Sequence, residues 1–595
     1  MASNIAAYAL IGDCETAALV GRNGSIDWLC CPRFDSPACF TALLGTPANG
    51  RWRICPFSRY RVNRRYQMHS LILESTFTTS EGQVTVIDFM PERAGFPRII
   101  RMIRGDNGAV RMRMEFCLRF DYGRRRPSLQ TKNTHIVAAA GSERLALFSC
   151  VPMRPKDGDV VAAFTVKAGD LVSFELTRAG TSRRKQSQSA SRLLDKTQRS
   201  WRRWTSRLKY RGPHVDAVER SLITLKALTY APTGGIVASP TTSLPETPGG
   251  SRNWDYRYCW LRDATFTLLG FLHAGYRQEG RAWKDWLMLA ASGNPGRLRV
   301  MYDVTARAIQ GEWKPRWLRG YRGAAPVRIG NAASRQLQLD IFGELADTLY
   351  QAGIPRKEKN PAFRLLVKVL DRLERIWHRP DHGIWEVRGQ TRQFTHSKVM
   401  CWVAFDRAIR AGEEIGFTAP LARWRAIRKE IHDSVCRSGF SAHLGSFVQS
   451  YRSKKVDASL LLLPLVGFLP PDDLRIAGTV RLIEKRLMRR GLVMRREKEE
   501  GRSSEGAFLP CSFWLADYYD LAHREKDATR LLRQLLKIRN DVGLLSEEYN
   551  VARRRLTGNF PQGLSHVALV NTIINLHTKI GPSRQRSSGG SRWMP

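Results

Sequence analysis

The feature that most constrains the fold is a change of hydrophobic pattern near residue 180 of this 595-residue chain. Before that point, short segments in which apolar and polar residues alternate are separated by Gly, Asp and Asn. Such alternation is typical of antiparallel strands, and Asp106-Asn107-Gly108 is a sequence typical of a hairpin turn. Residues 1–180 therefore predict an antiparallel β-sandwich.

From about residue 213 onward, apolar residues recur at spacings of three and four, which predicts about a dozen helices. We find no fixed-period repeat that would indicate a solenoid, so residues 213–580 favour six helical hairpins closed into a ring. Between the two regions, 181–212 is polar and basic and then helix-like, as expected of a linker. The Ser/Gly/Arg-rich tail, 581–595, predicts disorder.

The charge of the chain is strongly positive, with 96 Lys and Arg against 54 Asp and Glu, or +42. An excess of this size is compatible with a polyanionic partner. The basic residues are nevertheless spread along the whole chain, and no zinc-finger spacing or aromatic-rich RNA-binding motif accompanies them. We therefore interpret them as a solvated surface and expect no specific nucleic-acid binding.

The eleven cysteines include no C-x-x-C pair, which is typical of reduced, buried thiols. The N-terminus lacks the basic and apolar pattern of a signal peptide. The longest apolar stretch, about 460–469, contains Pro464 and is too short to span a bilayer. We expect a soluble, cytoplasmic protein with no membrane partner.

Two acidic sites stand out among the loops. Glu386 directly follows Trp385 in the Gly-containing segment 381–389, and Glu547-Glu548 lies in a similar setting far downstream. Two carboxylates on separate loops, one beside an aromatic side chain, are what the cleavage of a glycosidic bond requires.

Eight motifs, which occur in order, resemble glycoside hydrolase family 15, the family of glucoamylases and bacterial trehalases. The motifs are Tyr8–Asp13, Gly24–Cys30, Asn253–Asp263, Gly320–Gly323, Pro326–Ala332, Gly383–Glu386, Glu547–Tyr549 and Gly558–Gln562. The resemblance runs from about residue 5 to 578. It implies an N-terminal β-sandwich joined to a C-terminal (α/α)6 barrel. It also implies hydrolysis of an α-glucosidic bond with inversion and without a catalytic metal.

The resemblance assigns the two catalytic roles. Glu386 aligns with the general acid, which must be protonated, and the apolar surface of Trp385 favours that form by desolvation. Glu547 aligns with the general base that activates water, with the adjacent Glu548 as the alternative. In an inverting enzyme the two carboxyl groups lie about 6.5–9.5 Å apart.

The same resemblance implies a sugar-binding set, in which Arg262 and Asp263 bracket the hydroxyl groups of the terminal glucose. The substrate-binding candidates are Trp260, Arg262, Asp263, Arg328, Asn331, Trp385 and Glu548. Trp254, Trp313 and Trp317 are further candidates for stacking on sugar rings. His396 and His566 lie close to the motifs. Each is expected to support the site through hydrogen bonds and not to bind a metal.

The expected activity is that of an inverting, exo-acting α-glucoside hydrolase, similar to glucoamylase, which releases β-D-glucose from small-molecule or oligosaccharide α-glucosides. The alternative is an α,α-trehalase, and some bacterial members of that kind depend on phosphate and magnesium. Apart from that case we expect no cofactor. From other classes, a non-catalytic glucan-binding protein and a polyanion-binding protein stay open.

Overall fold

The computed structural model describes residues 2–132, 135–180, 189–353, 360–416, 420–497, 505–578 and 580–588. The first part of the predicted linker, 181–188, and the last part of the predicted tail, 589–595, lie outside these residues.

The N-terminal region is built from antiparallel strands, with short 3-10 turns at Ile5–Ala7, Ala42–Leu44 and Pro47–Asn49 and a short helical segment, α1, at Phe120–Gly123. The strands are β1 Tyr8–Gly12, β2 Ala17–Gly21, β3 Ser25–Cys30, β4 Ala38–Phe40, β5 Arg51–Pro56, β6 Arg61–Tyr66, β7 Leu73–Thr78, β8 Gly82–Phe89, β9 Ile99–Cys117, β10 Ser128–Lys132, β11 His135–Ala140, β12 Glu143–Ser149, β13 Arg154–Lys156, β14 Asp159–Lys167 and β15 Leu171–Arg178.

The long strand β9 joins the two layers of this sandwich. Its first half pairs with β8 and β15, and its second half pairs with β5 and β14. The change of partners falls near Gly105, where a Cβ atom would lie 1.9 Å from the carbonyl oxygen of Lys167. Only glycine permits so close an approach of two backbones. The antiparallel sandwich expected from the alternating pattern is confirmed.

Helix α2, Ala190–Thr205, lies within the predicted linker and packs on the helical region. The Trp204 indole donates a hydrogen bond to Glu279 at 2.6 Å and stacks on Tyr276 with 4.2 Å between ring centroids. The linker is therefore tied to the second domain through buried aromatic contacts.

The C-terminal region contains twelve helices in its described residues up to His577. They are α3 Val215–Ala227, α4 Ala264–Ala274, α5 Arg277–Ser292, α6 Asp340–Gln351, α7 Pro361–Ile376, α8 Thr395–Ile415, α9 Leu421–Ser438, α10 Leu462–Leu465, α11 Leu474–Leu487, α12 Leu509–Leu521, α13 Glu525–Lys537 and α14 Gly563–His577.

These helices form two rings. The inner helices α4, α6, α8, α10, α12 and α14 contact one another in a closed circle, and each is buried on nearly all sides. The outer helices are amphipathic; α13, for example, buries only Ala528, Leu531, Leu532 and Leu535. Burial on all sides requires apolar residues all round, whereas an outer helix needs a single apolar stripe. The architecture is an (α/α)6 barrel, as predicted.

Short ladders of two or three residues shape the loops at the mouth of the barrel. They are β16 Cys259–Trp260, β17 Met301–Tyr302, β18 Glu312–Trp313, β19 Ile329–Gly330, β20 Phe440–Ser441, β21 Ser446–Phe447, β22 Met488–Arg489, β23 Leu492–Val493, β24 Ala507–Phe508, β25 Glu548–Asn550 and β26 Arg555–Thr557.

The two domains share a polar interface. The Trp28 indole of β3 donates to the carbonyl of Pro240 at 2.7 Å. The fully buried Arg257 is paired with Asp255 at 2.6 Å and reaches the Tyr122 hydroxyl at 3.1 Å. The sandwich thereby holds the segment that leads into β16.

The predicted disordered tail is wrong for residues 582–588, which form helix α15, Pro582–Ser588. The buried Arg586 lies 2.5 Å from Asp347 and 3.1 Å from Glu344, and its carbonyl accepts a hydrogen bond from Arg407. Burial alone would raise the pKa of Asp347, but the guanidinium groups of Arg407 and Arg586 lower it to about 2. Composition suggested disorder, but the partners of Arg586 come from distant helices.

Within the part of the chain that the structure describes, no helix combines the length and apolar character needed to cross a bilayer.

Candidate active site

A cleft of about 710 Å³ opens at the mouth of the barrel. The inner helices close its floor through Phe266 and Glu344, and the loop 384–390 forms one wall. Arg252, Arg495 and neighbouring residues complete the lining. A cleft of this volume has the size typical of small-molecule sites.

Glu386 lies in this wall, on the loop between α7 and α8. Its backbone is in the left-handed region, with φ of 53°, and Gly383 three residues earlier has φ of 66°. A Cβ atom at Gly383 would lie 2.8 Å from the Phe394 ring, so the tight turn requires glycine there. Strained backbone of this kind is common where a side chain must be aimed at a ligand.

Two donors hold the Glu386 carboxylate. The Trp260 indole nitrogen lies 2.6 Å from its Oε1, and Arg262 Nη2 lies 3.2 Å from the same atom. The side chain keeps 18% of its surface exposed, so it is reachable from the cleft. Both contacts are made to Oε1, and they orient the carboxylate.

The Trp385 indole makes its hydrogen bonds to a carboxylate other than that of Glu386. Its indole nitrogen donates to both carboxylate oxygens of Asp457 at 2.9 Å, and its ring packs against Phe508 and Trp514. The groups bonded to the Glu386 carboxylate belong to Trp260 and Arg262 instead. Trp385 therefore lines the cleft and anchors the loop that carries Glu386.

Arg262 and Asp263 line the cleft beside Glu386. Arg262 also donates to the carbonyl of Ile384, which ties the loop to the start of α4. Burial, reinforced by Glu386 and opposed by Arg262, raises the pKa of Asp263 to about 6. Its Oδ1 has no hydrogen-bond partner among the described residues, although it is buried. A buried acceptor without a partner is suited to a substrate hydroxyl group.

Glu547 occupies a different setting, with 0% of its surface exposed. The Tyr256 hydroxyl donates to its Oε1 at 2.7 Å, and the Asn559 amide donates to its Oε2 at 3.1 Å. Burial and the neighbouring Glu246 raise its pKa to about 7, against the opposing effects of Arg495 and Tyr256. Glu547 does not itself line the cleft, but Tyr256 does.

Glu548 points to another partner. Arg495 Nη2 lies 2.9 Å from its Oε1, and the Gly506 amide donates to its Oε2 at 2.9 Å. Burial raises its pKa well above the ordinary value. Because the side chain is fully engaged, Glu548 has the contacts of a structural residue.

Tyr256 and Trp260 connect the two candidate catalytic carboxylates. Their rings meet edge to face with 5.2 Å between centroids. One ring donates to Glu547 and the other donates to Glu386. Four residues of sequence separation thus place two donors side by side, each aimed at a different carboxylate.

Of the binding candidates Arg328 and Asn331, only Arg328 lines the cleft. Arg328 lines the cleft, where it pairs with Glu312 at 2.6 Å and lies over the Trp254 ring. Asn331 is buried outside the lining, and it caps a short helical turn through the Ala333 amide.

Of the three candidate stacking residues, only Trp254 lines this cleft. Trp313 and Trp317 instead pack against Tyr122 of the sandwich. His566 supports the loop that carries Glu547, because its Nε2 accepts a hydrogen bond from the Leu545 amide. Burial lowers the pKa of His566 to about 3, so the ring is neutral. His396 shows no such bond among the described residues.

Several cleft residues were missed by sequence reasoning. Tyr256 stands inside a recognised motif but was given no role. Glu246 accepts from the Trp254 indole at 3.0 Å and lies 2.8 Å from Arg495. Arg388 lies over Trp254 at 4.3 Å and pairs with Glu312. A single sequence gives no signal for Glu246 or Arg388, since charged loop residues are usually solvated.

Three carboxylates, from Glu246, Glu505 and Glu548, come close enough together to suggest a metal site. Arg495 Nη2 lies 2.8–2.9 Å from an oxygen of each of them. A guanidinium nitrogen therefore sits where a cation would bind, and Arg252 adds a second positive charge. The residues form an ion cluster and do not fit a magnesium site.

Both domains match known protein families. Residues 212–574 match the model for glycosyl hydrolases family 15, and residues 1–201 match the model described as trehalase-like, N-terminal. The chain belongs to glycosyl hydrolases family 15 and is a glycoside hydrolase.

Its curated relatives include trehalases from archaea and bacteria. That of Thermoplasma acidophilum is 35% identical over 577 residues, covering 94% of this chain and 98% of the relative. That of Mycobacterium tuberculosis is 35% identical over 609 residues, covering 96% and 89%. Among solved structures, a bacterial glucoamylase complexed with acarbose superposes with a TM-score of 0.71 at 13% identity, covering 96% of this chain and 94% of that chain. This last likeness concerns the fold.

Proposed function

We propose that the protein is an inverting α,α-trehalase. This hypothesis takes precedence over the glucoamylase-like activity expected from the sequence. The observation that carries the proposal is similarity over nearly the whole chain to relatives named trehalase, at 34–35% identity for four of them. The similarity includes the N-terminal domain, which matches a trehalase-like model.

In this mechanism Glu386 is the general acid. It must carry a proton when substrate binds and must deliver it to the glycosidic oxygen as the bond breaks. The position of Glu386 on the cleft wall, with 18% of the side chain exposed, supports this role. Trp260 and Arg262 fix its orientation and stabilise the carboxylate that is left after proton transfer.

Glu547 is the general base. Its carboxylate takes a proton from the water that attacks the anomeric carbon from the opposite face of the sugar. The Tyr256 hydroxyl and the Asn559 amide hold it in one orientation. Tyr256 lines the cleft, and its hydroxyl is bonded to Glu547. The attacking water therefore lies on the Tyr256 side of the buried carboxylate in this mechanism.

Arg262 and Asp263 bind the glucose whose anomeric carbon reacts. A guanidinium group donates and a carboxylate accepts, so the pair brackets neighbouring hydroxyl groups. The Oδ1 of Asp263 supports this assignment, because it lies 3.8 Å from Arg262 Nε and accepts no hydrogen bond from the described residues. The second glucose of trehalose then faces the outer part of the cleft, which Trp254, Arg328 and Arg388 line.

The deciding experiment is incubation with trehalose, maltose and soluble starch, with the anomers of released glucose followed by NMR. Inverting hydrolysis of trehalose releases one β-glucose from the attacked ring and one α-glucose from the leaving ring. Equal initial amounts of both anomers are the expected result. Release of α-glucose alone would indicate retention.

The same assay separates the alternatives. Hydrolysis of maltose and starch without hydrolysis of trehalose, with and without added phosphate and magnesium, would favour the glucoamylase-like activity. No hydrolysis of any of the three sugars under those conditions would favour a non-catalytic, glucan-binding protein.

A further inference from the structure

The floor of the catalytic cleft rests on a helix that enters the barrel from the opposite end. Asp263, Phe508 and Gln562 line the cleft, and they directly precede the inner helices α4, α12 and α14. The cleft therefore opens at the N-terminal ends of these helices. Helix α15 follows the C-terminal end of α14 and packs against α4, α10, α12 and α14. It closes the inner ring from below.

One side chain of α15 contacts two residues of the cleft floor. Arg586 Nη2 lies 3.2 Å and 3.1 Å from the two carboxylate oxygens of Glu344. The guanidinium carbon of Arg586 lies 4.5 Å from the centroid of the Phe266 ring. Glu344 and Phe266 both line the cleft, whereas Arg586 is 2% exposed. A buried guanidinium group therefore lies directly behind the surface that a bound sugar would meet.

Arg586 is fixed by contacts on its other side. Its Nε donates to Asp347 at 2.5 Å, and its carbonyl oxygen accepts from Arg407 at 2.8 Å. Arg407 also pairs with Asp347 at 2.9 Å. A planar guanidinium group in such a network presents its donors in a fixed direction. A lysine at this position would keep the charge but lose that geometry.

The Glu344 carboxylate can accept further hydrogen bonds. A carboxylate offers about four lone-pair sites on its two oxygens, and Arg586 Nη2 approaches one on each oxygen. Burial raises the pKa of Glu344, and the positive charge of Arg586 opposes that rise. Arg586 therefore favours the ionised form, which is the better acceptor.

Unsatisfied polar atoms surround this floor. Asp263 Oδ1, Arg586 Nη1 and both ring nitrogens of His396 are buried, and they have no hydrogen-bond partner within the described ranges. Burial lowers the pKa of His396 to about 3, and the charges of Arg262 and Arg586 add to the effect, so the ring lies near both groups. Buried polar atoms are nearly always satisfied, so several of them in one place indicate that a polar ligand or water fills the space.

From these contacts we infer that Glu344 is a further substrate-binding residue, and that Arg586 positions it. Glu344 accepts a hydrogen bond from the hydroxyl group at C4 or C6 of the innermost glucose. The anomeric carbon of that glucose lies beside the proton donor Glu386 on the cleft wall, so the opposite end of the ring, with C4 and C6, points to the floor. This assignment rests on the proposed function, since it requires a glucose ring in the cleft.

Helix α15 lies outside the region that the family similarity covers. The family model matches residues up to 574, whereas α15 spans Pro582–Ser588. The similarity therefore gives this helix no role. Through Arg586, a segment beyond the matched region takes part in recognition of the substrate.

Hydrolysis of α-glucosyl fluoride tests the innermost subsite alone, because this substrate has one sugar ring and no leaving glucose. We compare kcat/KM for the parent fluoride and for its 3-deoxy, 4-deoxy and 6-deoxy analogues, with the full-length protein. Glu344→Gln keeps the pair between Arg586 and Asp347 and nearly the same side-chain shape. Arg586→Lys keeps a cation beside Asp347. The matched control is Arg584→Gln on the same helix, which removes a pair with Asp520 at 3.2 Å and does not touch the cleft lining.

In the wild type and in Arg584→Gln, the 4-deoxy or the 6-deoxy fluoride should lose at least about tenfold in kcat/KM relative to the parent, because a hydrogen bond to a charged group is lost. In Glu344→Gln this penalty should be at least about threefold smaller, because a neutral amide binds the hydroxyl group more weakly. Arg586→Lys should reduce the penalty in the same direction. The penalty for the 3-deoxy fluoride should be equal in all four proteins.

A merely structural role would lower kcat/KM for every fluoride by one factor and leave the penalties unchanged. Equal 4-deoxy and 6-deoxy penalties in the wild type and in Glu344→Gln would therefore overturn the assignment of Glu344. An unchanged penalty in Arg586→Lys would remove the positioning role of Arg586. No hydrolysis of the parent fluoride by the wild type would instead count against the proposed function, and with it against a glucose in this cleft.

Discussion

The two candidate catalytic carboxylates are held in opposite ways. Glu386 sits on a strained loop at the cleft wall and keeps 18% of its surface exposed, with its donors coming from the segment around β16. Glu547 is fully buried next to the three-stranded sheet of β24, β25 and β26, behind a tyrosine hydroxyl. A proton donor must meet the substrate oxygen directly, whereas a base needs only a path to water. The comparison suggests that exposure is matched to role.

The largest effects are expected for Glu386→Gln and Glu547→Gln. Each should lower kcat on trehalose by about 10²–10⁴-fold, since each removes one general catalyst. Steady-state assays at pH 7 check this, with thermal unfolding as the control for folding. Near wild-type activity of either variant would remove its assignment.

The two roles are separable with α-glucosyl fluoride, whose leaving group needs no proton. On this substrate Glu386→Gln should recover much of its activity, because only the acid step has been lost. Glu547→Gln should stay impaired, because water must still be activated. The reverse pattern would exchange the two assignments.

Glu246→Gln tests whether the base has been placed correctly. Glu246 lines the cleft, while Glu547 does not, so exposure alone would favour Glu246. Its pairing with Arg495 and the Trp254 indole instead supports a positioning role, and we expect kcat to fall by only about tenfold. A loss greater than that of Glu547→Gln would make Glu246 the base.

The pH profile gives a smaller effect whose sign can be stated. Burial raises the pKa of Glu547 to about 7, and the base must be ionised, so kcat/KM should rise as pH increases through about 7. The Tyr256 hydroxyl lowers that pKa, so Tyr256→Phe should move the acidic limb to higher pH. A limb that stays in place, or moves down, would show that another group controls it.

The smallest effect is expected for Trp385→Phe. The change removes the donor to Asp457 but keeps an aromatic ring, and Asp457 still accepts from Gln449 and Ser459. Unfolding in urea should show a loss of about 1–2 kcal/mol, and kcat should fall less than tenfold. The exposed Trp313→Phe, outside the cleft, serves as the control. A loss in kcat as large as that of Glu386→Gln would assign the indole a direct catalytic part.

The sequence allowed the fold to be predicted because the two periodicities are local. Alternation over a few residues defines a strand, and spacing of three and four defines a helix, without reference to distant residues. Helix α15 is an exception. Arg586 lies in a polar segment typical of disorder, yet its partners Glu344 and Asp347 lie on α6, far away in the chain. No local pattern signals a contact of that range.

The candidate site was predictable only in part. Glu386, Arg262 and Asp263 lie in motifs, and the structure brings them together at the cleft. Some of the residues that contact them were not assigned those contacts. Trp260 was a candidate for substrate binding, but its bond to Glu386 was not foreseen. Tyr256 lay in a motif without a role, and Glu246 gave no signal. Side-chain partners also resisted prediction, since the Trp385 indole donates to Asp457 and the donors to Glu386 are Trp260 and Arg262.

Helix α15 has a consequence for the order of events during synthesis. The buried Glu344 and Asp347 pair with Arg586, which lies 242 and 239 residues later in the chain. The sandwich can fold while translation continues, but the contacts of Glu344 and Asp347 with Arg586 cannot form until residue 586 has been synthesised. A chain cut before residue 586 would keep Arg407 beside Asp347 but would lose the guanidinium group that Glu344 meets.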